Sequence, residues 1–218
     1  MKRKYEICKM QILVIAATAF EIKPFIDAGT GADVLLTGVG VPAVFYHLQK
    51  RMQQLDYDLI IQAGIAGSFN KDLPLGEVVL VKQDTFGDIG MEEKENFVPI
   101  FETGFANKNE FPFTDGWLIN DSLINKQSGL KVVKAITVNK VSDSELQKQQ
   151  FILHFNADIE TMEGAALHYV CLQENIPFIQ LRSISNYVGE RDKTKWKTNE
   201  AVKNLNTQLK KLIDYLKG

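Results

Sequence analysis

A chain of 218 residues that is 45% hydrophobic and 24% charged has the makeup of one soluble domain, large enough to bury a substantial core. Its 25 Lys+Arg against 27 Asp+Glu leave a formal charge of -2, without the basic footprint that nucleic-acid or membrane-surface binding needs, so a small-molecule partner is expected. Cys8 and Cys171 form no C-x-x-C pair and His47, His154 and His168 lie far apart, so neither a zinc or disulfide framework nor any metal or cofactor is expected.

In chain order, residues 1–10 read as a short tail. MKRKYEICKMQILVIAATA offers a basic segment and an apolar run, as a secretory signal would. Its core ILVIAA, however, is shorter than the roughly 7–15 residues of a signal, and Glu6 and Lys9 interrupt what precedes it. No stretch approaches the roughly 20 apolar residues of a membrane span, and a cytoplasmic protein is expected. A single domain over 1–218 is expected too.

Apolar runs then predict strands at 12–17, 33–37, 59–63, 77–83, 134–138 and 178–185. Helical signals predict helices from Val41 to Gln54, with Pro42 in the first turn, from Ser144 to Phe155, from Glu163 to Asn175 ahead of Pro177, and from Thr198 to Leu216. The alternation argues for an α/β fold: a single three-layer domain whose central mixed, mostly parallel sheet is flanked by helices. TGVG (37–40) and AGIAGS (63–68) are expected as turns handing strands over to helices. The interval 84–115 is long, acidic and rich in Phe. Loops of this length are usually functional or disordered, and five Phe between 97 and 113 argue against disorder. It reads either as a cover over a site or a partner subunit, or as a peripheral hairpin with its own small core.

Three stretches carry candidate chemistry. In IETMEGAALHYV (159–170) a short strand ends at Thr161 and Met162, and Glu163 opens a helix beside the small residues Gly164, Ala165 and Ala166. Acids are favoured there simply because they complement the helix dipole; alternatively, an ionised Glu can accept hydrogen bonds from two adjacent hydroxyls of a ribose. In AATAFEIKPF (16–25) Glu21 is again either a helix-start acid or a functional carboxylate. A carboxylate here would repel an anionic nucleophile, and no G-x-x-x-x-G-K-[ST] loop occurs, so water is the expected attacker. In LRSISNYVGERD (181–192) an apolar run reaches water at Asn186. Ligands of α/β sheets bind beyond the carboxyl ends of strands, but Asn is also a common turn residue.

Taken in order, LVIAATAFEIKPF, TGVGVPAV, IIQAGIAGSF, IETMEGAAL and LRSISNYVG resemble the motifs of the purine nucleoside phosphorylase and nucleosidase superfamily over about residues 12–216. Within it the chain is most similar to the futalosine hydrolase branch, through Asn186 with the following YVGERDKTKW and through FGDIG (86–90). Residues 82–84 and 141–143 match only loosely. The resemblance implies a nucleoside phosphorylase-like fold and hydrolysis of the N-glycosidic bond of futalosine, releasing hypoxanthine in a menaquinone pathway. It implies Glu163 on the ribose hydroxyls, Met162 against the sugar, Glu21 activating water, and Asn186 facing the 6-oxo group and ring nitrogen of hypoxanthine. Further substrate contacts are implied at Ala66, Gly67 and Ser185, with Phe86 and Arg191 at the far end of the substrate. Family members are dimers or larger, so a homo-oligomer is expected. The alternatives are an adenine-releasing nucleosidase, for which an acid would be expected at 186, a phosphorylase, and a nucleoside-binding protein without turnover.

Overall fold

The computed structural model describes residues 10–121, 129–141 and 143–217, so the predicted tail, with Cys8, falls outside the described residues apart from Met10, as does Ser142. The elements are β1 (Ile12–Ala16), α1 (Ala19–Asp27), β2 (Asp33–Leu36), α2 (Val41–Met52), β3 (Leu59–Ser68), β4 (Val78–Phe86), β5 (Gly90–Glu93), β6 (Asn96–Pro99), β7 (Leu118–Ile119), β8 (Lys131–Thr137), α3 (Glu145–Phe155), β9 (Ile159–Thr161), α4 (Gly164–Gln173), β10 (Phe178–Tyr187), a 3-10 turn (Lys193–Lys195) and α5 (Thr198–Lys217).

The main sheet runs β10-β4-β8-β9-β3-β1-β2, with β7 added beside β4. It is mixed and mostly parallel, since β1–β2, β1–β3, β3–β10, β4–β8 and β8–β9 are parallel and the other pairs antiparallel. β1 shows why helices cover both faces. Its residues alternate, so Ile12, Val14 and Ala16 pack with Ile22 and Phe25 of α1 and Leu205, Leu209 and Ile213 of α5. Leu13 and Ile15 pack with Val44 and Leu48 of α2 and Leu167 and Val170 of α4. A strand buried on both faces has no polar alternation, which is why it reads as an unbroken apolar run.

The sheet also closes on itself, because β3 pairs with β10 as well as with β9. Its first half, Leu59–Gln62, lies beside β1, and its last two residues pair Gly67 with Glu160 and Ser68 with Ile159. A bulge between Ile184 and Asn186 bends β10 along the same path.

One expectation is corrected here. AGIAGS (63–68) is not a turn but the second half of β3. Its glycines serve packing: a Cβ on Gly64 would collide with the Arg182 guanidinium and stand 2.9 Å from Glu21 Oε1, and one on Gly67 would meet Val188 Cγ2 at 3.1 Å. TGVG does lead into α2, with Gly40 at φ +88° in the cap position and Pro42 in the first turn. The interval 84–115 holds the end of β4 and the β5–β6 hairpin, whose Phe97 packs edge-on against Phe151 of α3 at 6.1 Å. The hairpin has its own aromatic contacts, as one of the two readings had it, and no residue of the interval lines the cavity described below.

Candidate active site

Glu21 is held on three sides. Thr18 precedes α1, and both its N–H and its Oγ1 donate to Glu21 Oε2 at 3.1 Å, an arrangement that satisfies a free helix-start amide. The N–H of Ile65 in β3 donates to Oε1 at 3.1 Å. α1 itself is irregular: Ile22 has φ -125°, two residues before Pro24, and proline disfavours a regular turn ahead of it. A regular helix would bond Phe25 N–H to the Glu21 carbonyl. The buried Asn206 of α5 takes both places, its Oδ1 accepting from Phe25 N–H at 3.0 Å and its Nδ2 donating to the Glu21 carbonyl at 2.8 Å.

Glu163 follows β9 in the cap position of α4. The Gly40 N–H donates to its Oε1 at 3.1 Å, and its Oε2 stands 3.7 Å from Arg182 Nη1. Burial pushes its pKa above the usual carboxylate range, opposed chiefly by the Arg182 charge. Arg182 is 1% exposed, and its Nη2 donates to Gln62 Oε1 at 2.8 Å. The buried guanidinium thus pairs with Glu163, and Gly64 leaves beside it the space that Arg182 Nη1 and Glu21 Oε1 both border. Below Glu163, Thr161 Oγ1 accepts from Gly164 N–H and Thr137 Oγ1 accepts from Ala165 N–H, while Thr137 donates to the fully buried Asp84 at 2.9 Å. Burial pushes Asp84 up to about 7.

Asn186 ends β10. Ser185 Oγ donates to its Oδ1 at 2.8 Å, and its own Nδ2 donates to the Tyr187 carbonyl at 3.2 Å. The amide is thus fixed in orientation with one side left toward the cavity.

Glu21, Glu163 and Asn186 all line one cavity of about 310 Å³ at the carboxyl ends of β1, β3, β9 and β10. Ala66, Gly67, Met162, Ser185 and Arg191 line it too. Phe86 does not. It packs with Phe45 and Tyr169, at ring-centroid distances of 6.4 and 6.3 Å, where β4 meets α2 and α4. The structure places the Phe86 ring in this aromatic cluster and not among the residues that line the cavity.

Several residues of the site were not singled out in the sequence. Arg182 had a legible signal, a charge inside the apolar run FIQLRSIS, because a strand buried on both faces carries a cation only where a partner awaits it. Glu160, a second acid in IETMEGAAL, lines the cavity at 7% exposure. Trp196, whose Nε1 donates to the Glu190 carbonyl at 2.8 Å, and Phe20, 56% exposed, form part of the rim; neither has a sequence signal. Among the described residues no His, Cys, Asp and Glu cluster suits a metal ion, Cys171 is free and buried, and no helix is long and apolar enough to cross a membrane.

A family model described as Phosphorylase superfamily matches residues 12–217. The futalosine hydrolase of Thermus thermophilus is 30% identical over 190 residues, 85% of this chain and 82% of its own length. That of Streptomyces coelicolor is 27% identical over 193 residues, 86% of this chain and 81% of its own. Among solved structures, the 5'-methylthioadenosine/S-adenosylhomocysteine nucleosidase of Helicobacter pylori, crystallised with butyl-thio-DADMe-Immucillin-A, superposes with a TM-score of 0.81. It covers 95% of this chain and 99% of that one at 17% identity, a likeness of fold.

Proposed function

The chain belongs to the phosphorylase superfamily, and from that premise we propose that it is an N-glycosyl hydrolase that cleaves futalosine to release hypoxanthine, in menaquinone biosynthesis. The observation that carries the reading is the convergence of Glu21, Glu163 and Asn186 on one cavity from the ends of three separate strands. The names of the relatives in Thermus thermophilus and Streptomyces coelicolor supply the substrate class.

Breaking the bond between ribose and purine leaves positive charge on the sugar, so catalysis needs negative charge aimed where that charge develops. Glu163 accepts the ribose hydroxyls and gains most as the sugar becomes cationic. Burial raises its pKa, and the Arg182 guanidinium 3.7 Å away opposes that rise in favour of the charged form. Met162 packs against the sugar. Glu21 orients the attacking water and takes its proton, with the Arg182 guanidinium near the same point above Gly64. Asn186 presents an amide to the base. An amide pairs with the carbonyl and protonated nitrogen of a 6-oxopurine together, and this favours hypoxanthine over adenine as the leaving base.

The second reading is an adenine-releasing nucleosidase, a class that shares this fold. One assay separates them. The protein is incubated with futalosine, inosine, methylthioadenosine and adenosylhomocysteine, with and without phosphate, and the free base is identified. Phosphate-independent hypoxanthine release from futalosine is the expected outcome; adenine release would sink the proposal.

A further inference from the structure

Glu160 is a third acid in the same cavity, and the chemistry above leaves it unused. It is buried, and its carboxylate has no hydrogen-bond or ion-pair partner among the described residues. An acid this deeply buried, with no direct partner and its side chain on the cavity wall, calls for a reason.

Strand register supplies its position. Gly67 of β3 pairs with Glu160 of β9 on one side and with Asn186 of β10 on the other. Residues in register on neighbouring strands project from the same face of a sheet, and a spacing of about 4.8 Å per strand sets the two α-carbons about 10 Å apart. Between them Gly67 carries no side chain, and a Cβ there would stand 3.1 Å from Val188 Cγ2 and 3.4 Å from Asn186 Nδ2. The result is a strip of cavity wall formed by Gly67 and Val188, with an amide on one flank and a carboxyl on the other.

A purine that departs with the electron pair of its glycosidic bond requires a proton, and the amide of Asn186 has none to give. We propose that Glu160 is the general acid of this site, donating its carboxyl proton to a ring nitrogen of the departing purine while Asn186 holds the base from the opposite flank. The proposal rests on the reading of the cavity as a purine nucleosidase site. The balance is closed: the pair of the C1′–N9 bond moves onto the purine, which takes the Glu160 proton. The water oxygen bonds to C1′ and yields its proton to Glu21. Exchange with solvent then reprotonates Glu160 and frees Glu21.

The surroundings agree with this assignment. Burial first, and then the negative charge of Asp88 in the turn after β4, push Glu160 up to about 7, against the opposing charge of Arg191 from the loop after β10. Glu21, Glu163 and Glu190 are the other carboxylates on the cavity wall. A donor poised near neutrality is suited to proton transfer.

The test compares Glu160→Gln with the unmodified protein on two substrates. One is the purine nucleoside that the unmodified protein cleaves; the other is 4-nitrophenyl β-D-ribofuranoside, whose leaving group departs without a proton. Expected are a loss of about 10²–10⁴-fold in kcat on the purine nucleoside and a change within about threefold on the nitrophenyl riboside. The fall of kcat/KM above about pH 7 in the unmodified protein should be gone in the variant. Equal losses on both substrates, retention of the alkaline fall, or unchanged purine release would each overturn the role of Glu160. A wrong substrate shows instead in the unmodified protein, as cleavage of a nucleoside other than futalosine, on which the comparison then proceeds. Cleavage of no nucleoside at all would overturn both readings.

Discussion

Asn206 stands in for the helical hydrogen bond that α1 lacks between Phe25 and Glu21, tying the backbone of a site carboxylate to a helix 185 residues further along the chain. The inserted amide accepts from one side and donates to the other, so neither the Phe25 N–H nor the Glu21 carbonyl is left unmet at the break. It also couples the placement of Glu21 to the docking of α5 on the sheet.

Replacing Asn206 with Ala would orphan the Phe25 N–H and the Glu21 carbonyl in a buried setting. Each orphaned group costs about 1–3 kcal/mol. The urea midpoint should fall accordingly, and turnover should fall with it as the first turns of α1 shift. A midpoint within error of the unmodified protein would show that water replaces the amide without loss.

The two carboxylates facing the sugar and the water can be neutralised without changing their shape. Glu21→Gln and Glu163→Gln should each lower kcat for base release by about 10²-fold or more. Glu163→Gln can keep the Gly40 donor on its amide oxygen, whereas Glu21→Gln turns its NH2 toward the N–H of either Thr18 or Ile65, so each rate is read beside a thermal midpoint. Near-normal rates in either variant would return that residue to an ordinary helix-start role.

Gly64 lets Arg182 and Glu21 approach across a bare α-carbon. Gly64→Ala would force the buried guanidinium aside, and overpacking of this kind costs about 1–3 kcal/mol. Activity should suffer more than stability, since the displaced group is the partner of Glu163. A variant with full activity and unchanged thermal midpoint would show that the guanidinium has room to move.

Asp84 predicts a signature in pH. Burial raises its folded value from 3.8 to about 7, so the folded state binds a proton more tightly than the unfolded chain. Its contribution to stability is complete below about pH 4 and is lost as pH rises to about 7, at no more than about 1.4 kcal/mol per unit. Burial lowers His168 from 6.5 to about 4, which acts in the opposite direction over much of that interval. The informative quantity is therefore the difference between proteins. Asp84→Asn should gain on the unmodified protein between pH 5 and pH 8 in denaturant midpoint, and parallel curves would show that Asp84 is ionised throughout.

The sequence by itself determined the layers. Strands buried on both faces are continuous apolar runs, and 12–17 and 178–185 correspond closely to β1 and β10, as 33–37 does to the partly exposed edge strand β2. Helix ends were legible where local chemistry sets them, as at Pro42 and at Ser144, whose hydroxyl accepts from the Gln147 N–H. The order of the five motifs was enough to indicate the superfamily. Only the tertiary structure decided what lies across from what. AGIAGS reads as a turn because glycine is common in turns, yet its glycines answer to Arg182, Glu21, Asn186 and Val188, residues far away in sequence. Phe86 and Arg182 both sit in strands of mixed character, and register alone sent one to an aromatic cluster and the other to the site. The pairing of Gly67 with both Glu160 and Asn186 is likewise a property of a sheet that closes. Local sequence encodes which residues become strand or helix, whereas the neighbours of a side chain depend on contacts between segments that no window of the sequence contains.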